Sequence, residues 1–374
     1  MTPCFVEHFS KLPDPRINRN KLHELMDIIV LTVCAVISGA EGWEDIADFG
    51  HNQLDWLRRF VPLKNGIPSH DCIAYVISRL SPKAFQECFI SWTQSVTTQT
   101  EGELISVDGK TARGSRDRKN NKNPLHMVSA WSASNRVVLG QEVTNEKSNE
   151  ITAIPKLLAL LALKGCIVSI DAMGCQRDIA KQIVDQGGDY VLGLKGNQGS
   201  LHEAVEDYFT TAQAAGFKSI KYDYVVEVEH GHGRLETRRY WITDDLQTLP
   251  KTESWAGLRT IGMVEREYEE AGKQFKEKRF FINSIPPVAK TFAYAAARGH
   301  WGIENILHWR MDVVLREDAS RIRKGNAPSI MTSIRHLVLN LFQKEPSKLS
   351  LAKKRKIAAW DGDFRSKVLF ADNF

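Results

Sequence analysis

A mixed α/β fold is predicted, with a helical unit in front of it and a strand-rich stretch set into it. Three observations predict it. The first hundred residues carry apolar side chains at helical spacing, residues 104–194 interleave short β-type runs with helical ones, and residues 221–285 return to strands. With 374 residues, the chain is long enough for two or three units around a sizeable core.

The opening segments DIIVLTVCAVISGA, WEDIADFGHNQLDWLRRFV, CIAYVISRL and AFQECFISWTQSV read as helices, and the second places Ile46, Phe49, Leu54, Leu57 and Phe60 on one face. NGIPSHD, residues 65–71, separates them. The apolar stretch Ile28–Ala40 contains Thr32 and Ser38 and falls short of the roughly 18 residues that cross a bilayer. It reads as a buried helix, so no membrane partner is expected. MTPCFVEHFSKLPDPR has acids and prolines where a secretory signal has a basic start and an apolar middle. Cys4, Cys34, Cys72, Cys88, Cys166 and Cys175 form no C-x-x-C pair. Reduced thiols and a cytoplasmic location are expected.

From Leu104 the runs LISVD, HMVSAWSA and RVVLGQEV predict three antiparallel strands, the last two joined by a turn at Asn135 and Arg136. Ser148 is the expected cap of a helix carrying Ile151, Ile154, Leu157, Leu158 and Leu161. CIVSID, the helical RDIAKQIVDQGG and the strand DYVLGL follow. This order predicts a mixed sheet flanked by helices, with a right-handed crossover. KYDYVVEVEH, RLETRRYWI, LRTIGMVEREYEE and KRFFINS predict a β-rich insertion. A last helix is expected after Pro286 and Pro287, through AKTFAYAAARGHWGIENILHWRMDVVL, with a break near Gly299 or Gly302.

Two apolar runs, LISVD and CIVSID, each end in an aspartate, Asp108 and Asp171. Aspartate is a poor strand residue, and a buried carboxylate is costly unless something compensates it. A divalent cation would compensate two at once. A third carboxylate stands in the last helix, where His300, Glu304 and His308 recur at i, i+4 and i+8 on one polar face. Trp301, Ile303, Leu307 and Trp309 around it suggest that this face lies at the edge of a core. Three carboxylates in the order Asp, Asp, Glu suit two-metal phosphoryl chemistry, and hard oxygen ligands suit Mg²⁺.

Three basic stretches point to a polyanionic substrate, although the formal net charge is only +5. They are GKTARGSRDRKNNK at residues 109–122; Arg316, Arg321, Arg323 and Lys324; and Lys353, Lys354, Arg355 and Lys356. His230 and His232 in HGHGR read as a turn. Glu236 is a rival third carboxylate that Arg234 and Arg238 would pair. The chain lacks H-E-x-x-H, G-x-x-x-x-G-K-[ST] and G-x-G-x-x-G, which argues against a zinc protease and a nucleotide cofactor.

Long motifs carry a further signal: AVISGAEGWEDIADFG, NGIPSHD, VDGKTARGS, NEKSNEITAIPKLL, IDAMGCQRDIA, GGDYVLGLKGNQG, HGRLETRRY, RGHWGIENILHWRMDVVLREDASRIRKGNAP and, more loosely, IRHLVLN. With these the chain resembles, over nearly its whole length, the H-repeat-associated, Rhs-linked insertion-sequence transposases of the DDE superfamily. The resemblance implies an RNase H-like catalytic domain, a mixed five-stranded sheet flanked by helices, with a β-rich insertion and an N-terminal helical domain. The expected division is 1–100 helical and DNA-binding, 101–220 catalytic, 221–285 insertion, 286–342 catalytic with the Glu-bearing helix, and 343–374 a basic tail.

The resemblance further implies that Asp108, Asp171 and Glu304 are catalytic and hold two Mg²⁺ ions, for which Mn²⁺ can substitute. The substrate would be double-stranded DNA, as element ends and target, with hydrolysis releasing a 3′-hydroxyl that then attacks target DNA. A homodimer assembled on DNA is expected because an element has two ends. Related transposases carry an arginine four residues before the glutamate and a lysine seven after it. Here His300 and Met311 stand there, so Arg298 and Arg310 are the candidates for the missing positive charge. The expected DNA contacts are Lys110, Arg113, Lys195, Arg298, His300 and Arg310. A DNA-binding relic that has lost catalysis, and a nuclease that cuts without joining, are the alternatives.

Overall fold

The computed structural model describes residues 3–17, 19, 21–98, 100–144, 150–218, 220–231, 234–270 and 273–371, with the backbone alone at Arg234 and Arg298. Ser148, His232 and the first residues of the NEKSNE motif lie outside the described residues.

Six helices open the chain: α1 (Cys4–Phe9), α2 (Leu25–Ile37), α3 (Trp43–Asn52), α4 (Leu54–Leu57), α5 (His70–Ile77) and α6 (Pro82–Val96). α2 is apolar almost all round and is accordingly buried from Asp27 to Ile37. Serines start α5 and α6: Ser69 Oγ accepts from the Cys72 N–H (3.2 Å) and Ser81 Oγ from the Ala84 N–H (3.3 Å), with Pro82 in the first turn of α6.

The sheet consists of β1 (Leu104–Ala112), β2 (Leu125–Ser132), β3 (Val137–Thr144), β4 (Ile167–Ile170), β5 (Asp189–Leu194), β6 (Asp223–Gly231), β7 (Arg234–Thr243), β8 (Thr260–Glu270) and β9 (Lys273–Asn283). Among the described residues these nine strands form one sheet in the order β3-β2-β1-β4-β5-β9-β8-β7-β6. β1, β4 and β5 are parallel neighbours; β2 and β3 extend them antiparallel on one side. Helices α7 (Glu150–Leu158), α8 (Arg177–Asp185) and α9 (Gly199–Ala214) connect or follow these strands.

Two expectations about the sheet are corrected. The resemblance implies a sheet of five strands, but β9 pairs antiparallel with β5 from Leu194↔Phe280 to Val191↔Asn283, so the four strands expected as an insertion, β6–β9, prolong the same sheet. The pairing covers an edge that β5 would otherwise expose. Nor does β1 stop at Asp108. Its parallel pairing with β4 ends at Val107↔Ile170, while its antiparallel pairing with β2 continues from Asp108↔Ser129 to Ala112↔Leu125. A one-sided partner supports the turn-like residues of VDGK.

The last long helical segment is interrupted rather than broken. It runs as α10 (Ala289–Ala293), a π-helical stretch (Tyr294–Arg298), α11 (His300–Gly302), a second π-helical stretch (Ile303–His308) and α12 (Trp309–Val313). Such widened turns recur at functional sites. Gly299 permits the closest approach to the sheet: a β-carbon there would collide with Leu104 of β1.

The C-terminal region is a further correction. Residues 343–371 are not a tail, because α13 (Ala327–Lys344), α14 (Leu351–Trp360) and α15 (Gly362–Leu369) fold back onto the opening helices. Phe5, Ile28, Phe85 and Trp92 share one core with Ile334, Leu341, Ala358 and Leu369. Asn340 ties α13 to the sheet, its amide exchanging two 2.8 Å hydrogen bonds with the backbone of Val138 in the edge strand β3.

Candidate active site

β1 and β4 each present alternate residues to the interrupted helix, as the two-residue period of a strand requires. Ser106, Asp108 and Lys110 share one face of β1, and Ser169 and Asp171 share the matching face at the end of β4. Against them the helix lays His300, Glu304 and His308.

At one end, the Ser106 hydroxyl donates to the Gly299 carbonyl (3.0 Å), the Ser169 hydroxyl donates to Ser106 Oγ (3.2 Å), and His300 Nδ1 is hydrogen-bonded to Ser169 Oγ (3.1 Å). Burial lowers the His300 pKa to about 4, so the ring is neutral at pH 7. His300 thus anchors the helix to the sheet as a neutral ring, and it lines the cleft that holds Asp171, Lys195 and Glu304.

Asp108 occupies the middle. Its Oδ1 accepts the Gly109 N–H (2.8 Å), and its Oδ2 stands 3.6 Å from His308 Nδ1. Burial raises its pKa to about 7 against the stabilising Gly109 N–H, and the charges of Asp171, Glu304 and Glu150 add to the rise. Asp171 and Glu304 therefore stand close enough to Asp108 to oppose its ionisation. Asp171 directly follows the β4 residue paired with Val107, and its Oδ1 accepts from the N–H groups of Met173 (3.0 Å) and Gly174 (3.4 Å). Glu304 and Asp171 are exposed and line one cleft of about 290 Å³. Among the described residues no three His, Cys, Asp or Glu side chains already form a closed metal-holding cluster.

Gly109 explains why the strand tolerates nothing larger beside Asp108. A β-carbon there would collide with the buried pair His126 and Glu150, whose Nε2 and Oε1 lie 2.6 Å apart.

The basic residues divide. Lys195 is exposed and lines the cleft with Asp171 and Glu304. Lys110 is turned inward, 2.7 Å from Asp312, 3.0 Å from Glu317 and 3.5 Å from Asp318, with its side chain 12% exposed. Its expected contact with DNA is corrected to a structural ion pair. Arg113 is exposed, 3.6 Å from Asp318. Arg310 is half-buried and its Nη1 makes no hydrogen bond. The side chain of Arg298 lies outside the described residues. Within the C-terminal basic run, Lys354 is buried against the carbonyls of Phe342 (2.9 Å) and Glu345 (2.6 Å), and Arg355 donates to the Val314 carbonyl. Half of that run is therefore spent inside the fold.

Sequence reasoning missed Lys278 and Arg279 of β9, which join Lys195 on the cleft wall. Nothing local marks them, since only the β5–β9 pairing brings them there. Arg238, Arg266 and Arg279 also surround Trp301, with guanidinium carbons 4.5, 5.6 and 5.3 Å from a ring centroid. Glu236, the rival carboxylate, is paired to Arg238 and lies 2.7 Å from Arg266. Trp309, expected in the core, is 55% exposed.

Asp171 and Glu304 on one basic cleft, with Asp108 close enough to feel both charges, suggest a class of protein, and comparison with known families points the same way. Residues 99–341 match the transposase DDE domain, and residues 6–93 match a DDE_Tnp_1-associated region. The chain belongs to the DDE-domain transposase family. Within it, the chain is 42% identical over 370 residues to the H repeat-associated putative transposase YhhI of Escherichia coli strain K12, covering 97% of each chain. It is 44% identical over 369 residues to the putative transposase YncI of Escherichia coli O157:H7, covering 97% of this chain and 94% of the relative. A shorter relative, the inactive transposase YbfQ of strain K12, is 55% identical over 74 residues, 20% of this chain. Among the described residues no helix is long and apolar enough to cross a membrane.

Proposed function

We propose that the chain cuts the ends of a DNA element and joins them to target DNA, using Asp108, Asp171 and Glu304 in a Mg²⁺-dependent reaction. The observation that carries this reading is the position of Asp108. It sits where β1 leaves β4, held at a pKa of about 7 by burial and by its two acidic partners. A largely buried carboxylate whose ionisation two neighbouring carboxylates oppose fits a divalent cation, whose charge relieves the repulsion. When bound, such cations activate the attacking oxygen and stabilise the leaving one.

The rest of the site positions substrate. Lys195, Lys278 and Arg279 would neutralise phosphates entering the cleft, while neutral His300 and His308 hold the helix and Asp108 in place. Hydrolysis at the element end leaves a 3′-hydroxyl. That hydroxyl attacks a target phosphodiester in line, and the new P–O bond replaces the target's own. The five strands β3-β2-β1-β4-β5, with β1, β4 and β5 parallel, support an RNase H-like catalytic core, in which β6–β9 would be the insertion. An element has two ends, so a dimer on DNA is the expected working form.

The test is a strand-transfer assay with a labelled element end, a plasmid target and Mg²⁺. Joined product from wild type and none from Glu304→Gln supports the reading. Cutting without joining would assign a plain nuclease, and binding without cutting a catalytically silent relic.

A further inference from the structure

A second groove, about 980 Å³, is lined by none of the three carboxylates. Three segments meet there: 41–43 at the start of α3, part of the loop after β1 at 117–122, and 319–325 between α12 and α13. Lys122, Arg321, Arg323 and Lys324 supply its charge. Of the two acids on its wall, Glu41 is paired with Arg316 (3.2 Å), while Asp117, which accepts from Asn120 (2.6 Å) and feels the charge of Arg323, offsets part of the positive charge. Arg321 and Lys324 are exposed and make no ion pair among the described residues.

These cations stand on fixed backbone. Arg323 Nε donates to the Gly114 carbonyl (3.1 Å), and a β-carbon at Gly114 would collide with the carbonyls of Asp318 and Ser320. The Asn326 N–H donates to the Ser78 carbonyl (2.9 Å), and its side chain to the Leu80 carbonyl (2.9 Å). A depression of about 440 Å³ continues the groove and shares Lys122, Arg323 and Gly325 with it. Both basic walls prolong site-bearing elements: the loop follows the strand of Asp108, and 319–325 follows the helix of Glu304.

We infer that this groove binds the phosphate backbone of duplex DNA away from the scissile bond, so that one duplex is held at two places. The inference rests on the proposed DNA substrate. An extended, anchored row of unpaired cations suits a polyanion of regular charge spacing, and each phosphate neutralised releases counterions, which makes binding salt-dependent.

The test measures anisotropy of a fluorescein-labelled mixed-sequence duplex against salt for wild type, Arg321→Gln/Lys324→Gln and the charge-preserving Arg321→Lys/Lys324→Arg. The double glutamine variant should keep the wild-type Tm, lose roughly 10-fold or more in affinity, and show a salt slope smaller by about 2. The charge-preserving variant should keep the wild-type slope. An unchanged slope in the double glutamine variant, with wild type binding normally, would overturn the groove alone. Failure of wild type to bind duplex DNA would overturn the substrate reading and the groove with it.

Discussion

His308 Nδ1 stands 3.6 Å from Asp108 Oδ2, closing the space behind the carboxylate that leads the proposed site. Burial lowers the pKa of this histidine to about 3, and the Lys110 charge adds to the effect. The ring is thus neutral at pH 7, and the contact is steric and dipolar rather than an ion pair. On its other edge Nε2 is buried without a hydrogen-bond partner, beside a small cavity lined by Lys110, Glu317, Thr332 and His336. A side chain so placed orients a ligand without being one. His308→Ala should raise the Mg²⁺ concentration for half-maximal cleavage by roughly 10–100-fold, and His308→Gln by less. Metal-dependence curves of the cleavage rate read this directly; overlapping curves for the three proteins would remove His308 from the site.

Asp108 makes the metal-free protein sensitive to pH. Its folded pKa lies above that of an unfolded carboxylate, so the folded state holds the proton more tightly. The resulting stabilisation is complete below about pH 4 and is lost as pH rises through about 7. In EDTA, Asp108→Asn should therefore be more stable than wild type at pH 8, by on the order of 4 kcal/mol, with little difference at pH 4. Urea unfolding at the two pH values measures it, and equal offsets at both would refute the assignment.

Trp301 couples the strand-rich segment to the helix of Glu304. Its ring receives Arg238, Arg266 and Arg279 from three neighbouring strands, and Glu236 bridges the first two of these arginines. Trp301→Ala should cost about 2–3 kcal/mol from lost burial and cation–π contacts and lower kcat more than it raises KM for DNA. Trp301→Phe should recover most of both. Should the alanine variant unfold like wild type in urea, the clamp would have no energetic content.

Lys110 and Lys195 separate structure from binding. Lys110→Met leaves Asp312 and Glu317 facing each other uncompensated and should destabilise the fold by roughly 3 kcal/mol, seen as a lower Tm. Lys195→Gln should leave Tm unchanged, raise KM for DNA and reduce the salt slope by about 1. The reverse pattern would exchange the two roles.

The sequence made the carboxylates legible through local contradiction. Asp108 and Asp171 interrupt apolar strands where aspartate is disfavoured, and the i, i+4, i+8 repeat of His300, Glu304 and His308 fits their arrangement against the strand face. What was not legible depends on pairing between distant segments. That Lys110 faces Asp312 and Glu317 follows from the packing of the interrupted helix and the turn after it on β1, and that Arg279 reaches the cleft follows from the register of β9 against β5. α9 left a usable signal in Leu201, Val205, Phe209 and Ala212, all buried at helical spacing. α14 was hidden by its own charges: KKRK reads as solvated, yet Lys354 and Arg355 are turned into the fold, and Leu351 and Ala358 are buried in the core.

The central claim is that Asp108, Asp171 and Glu304 hold divalent cation together. Anomalous diffraction at the manganese edge from crystals of the full chain soaked in Mn²⁺ tests it most directly. The account predicts anomalous peaks between the carboxylates of Asp108 and Asp171 and within coordination distance of Glu304. Manganese bound only elsewhere, with these three side chains unchanged by the soak, would contradict it.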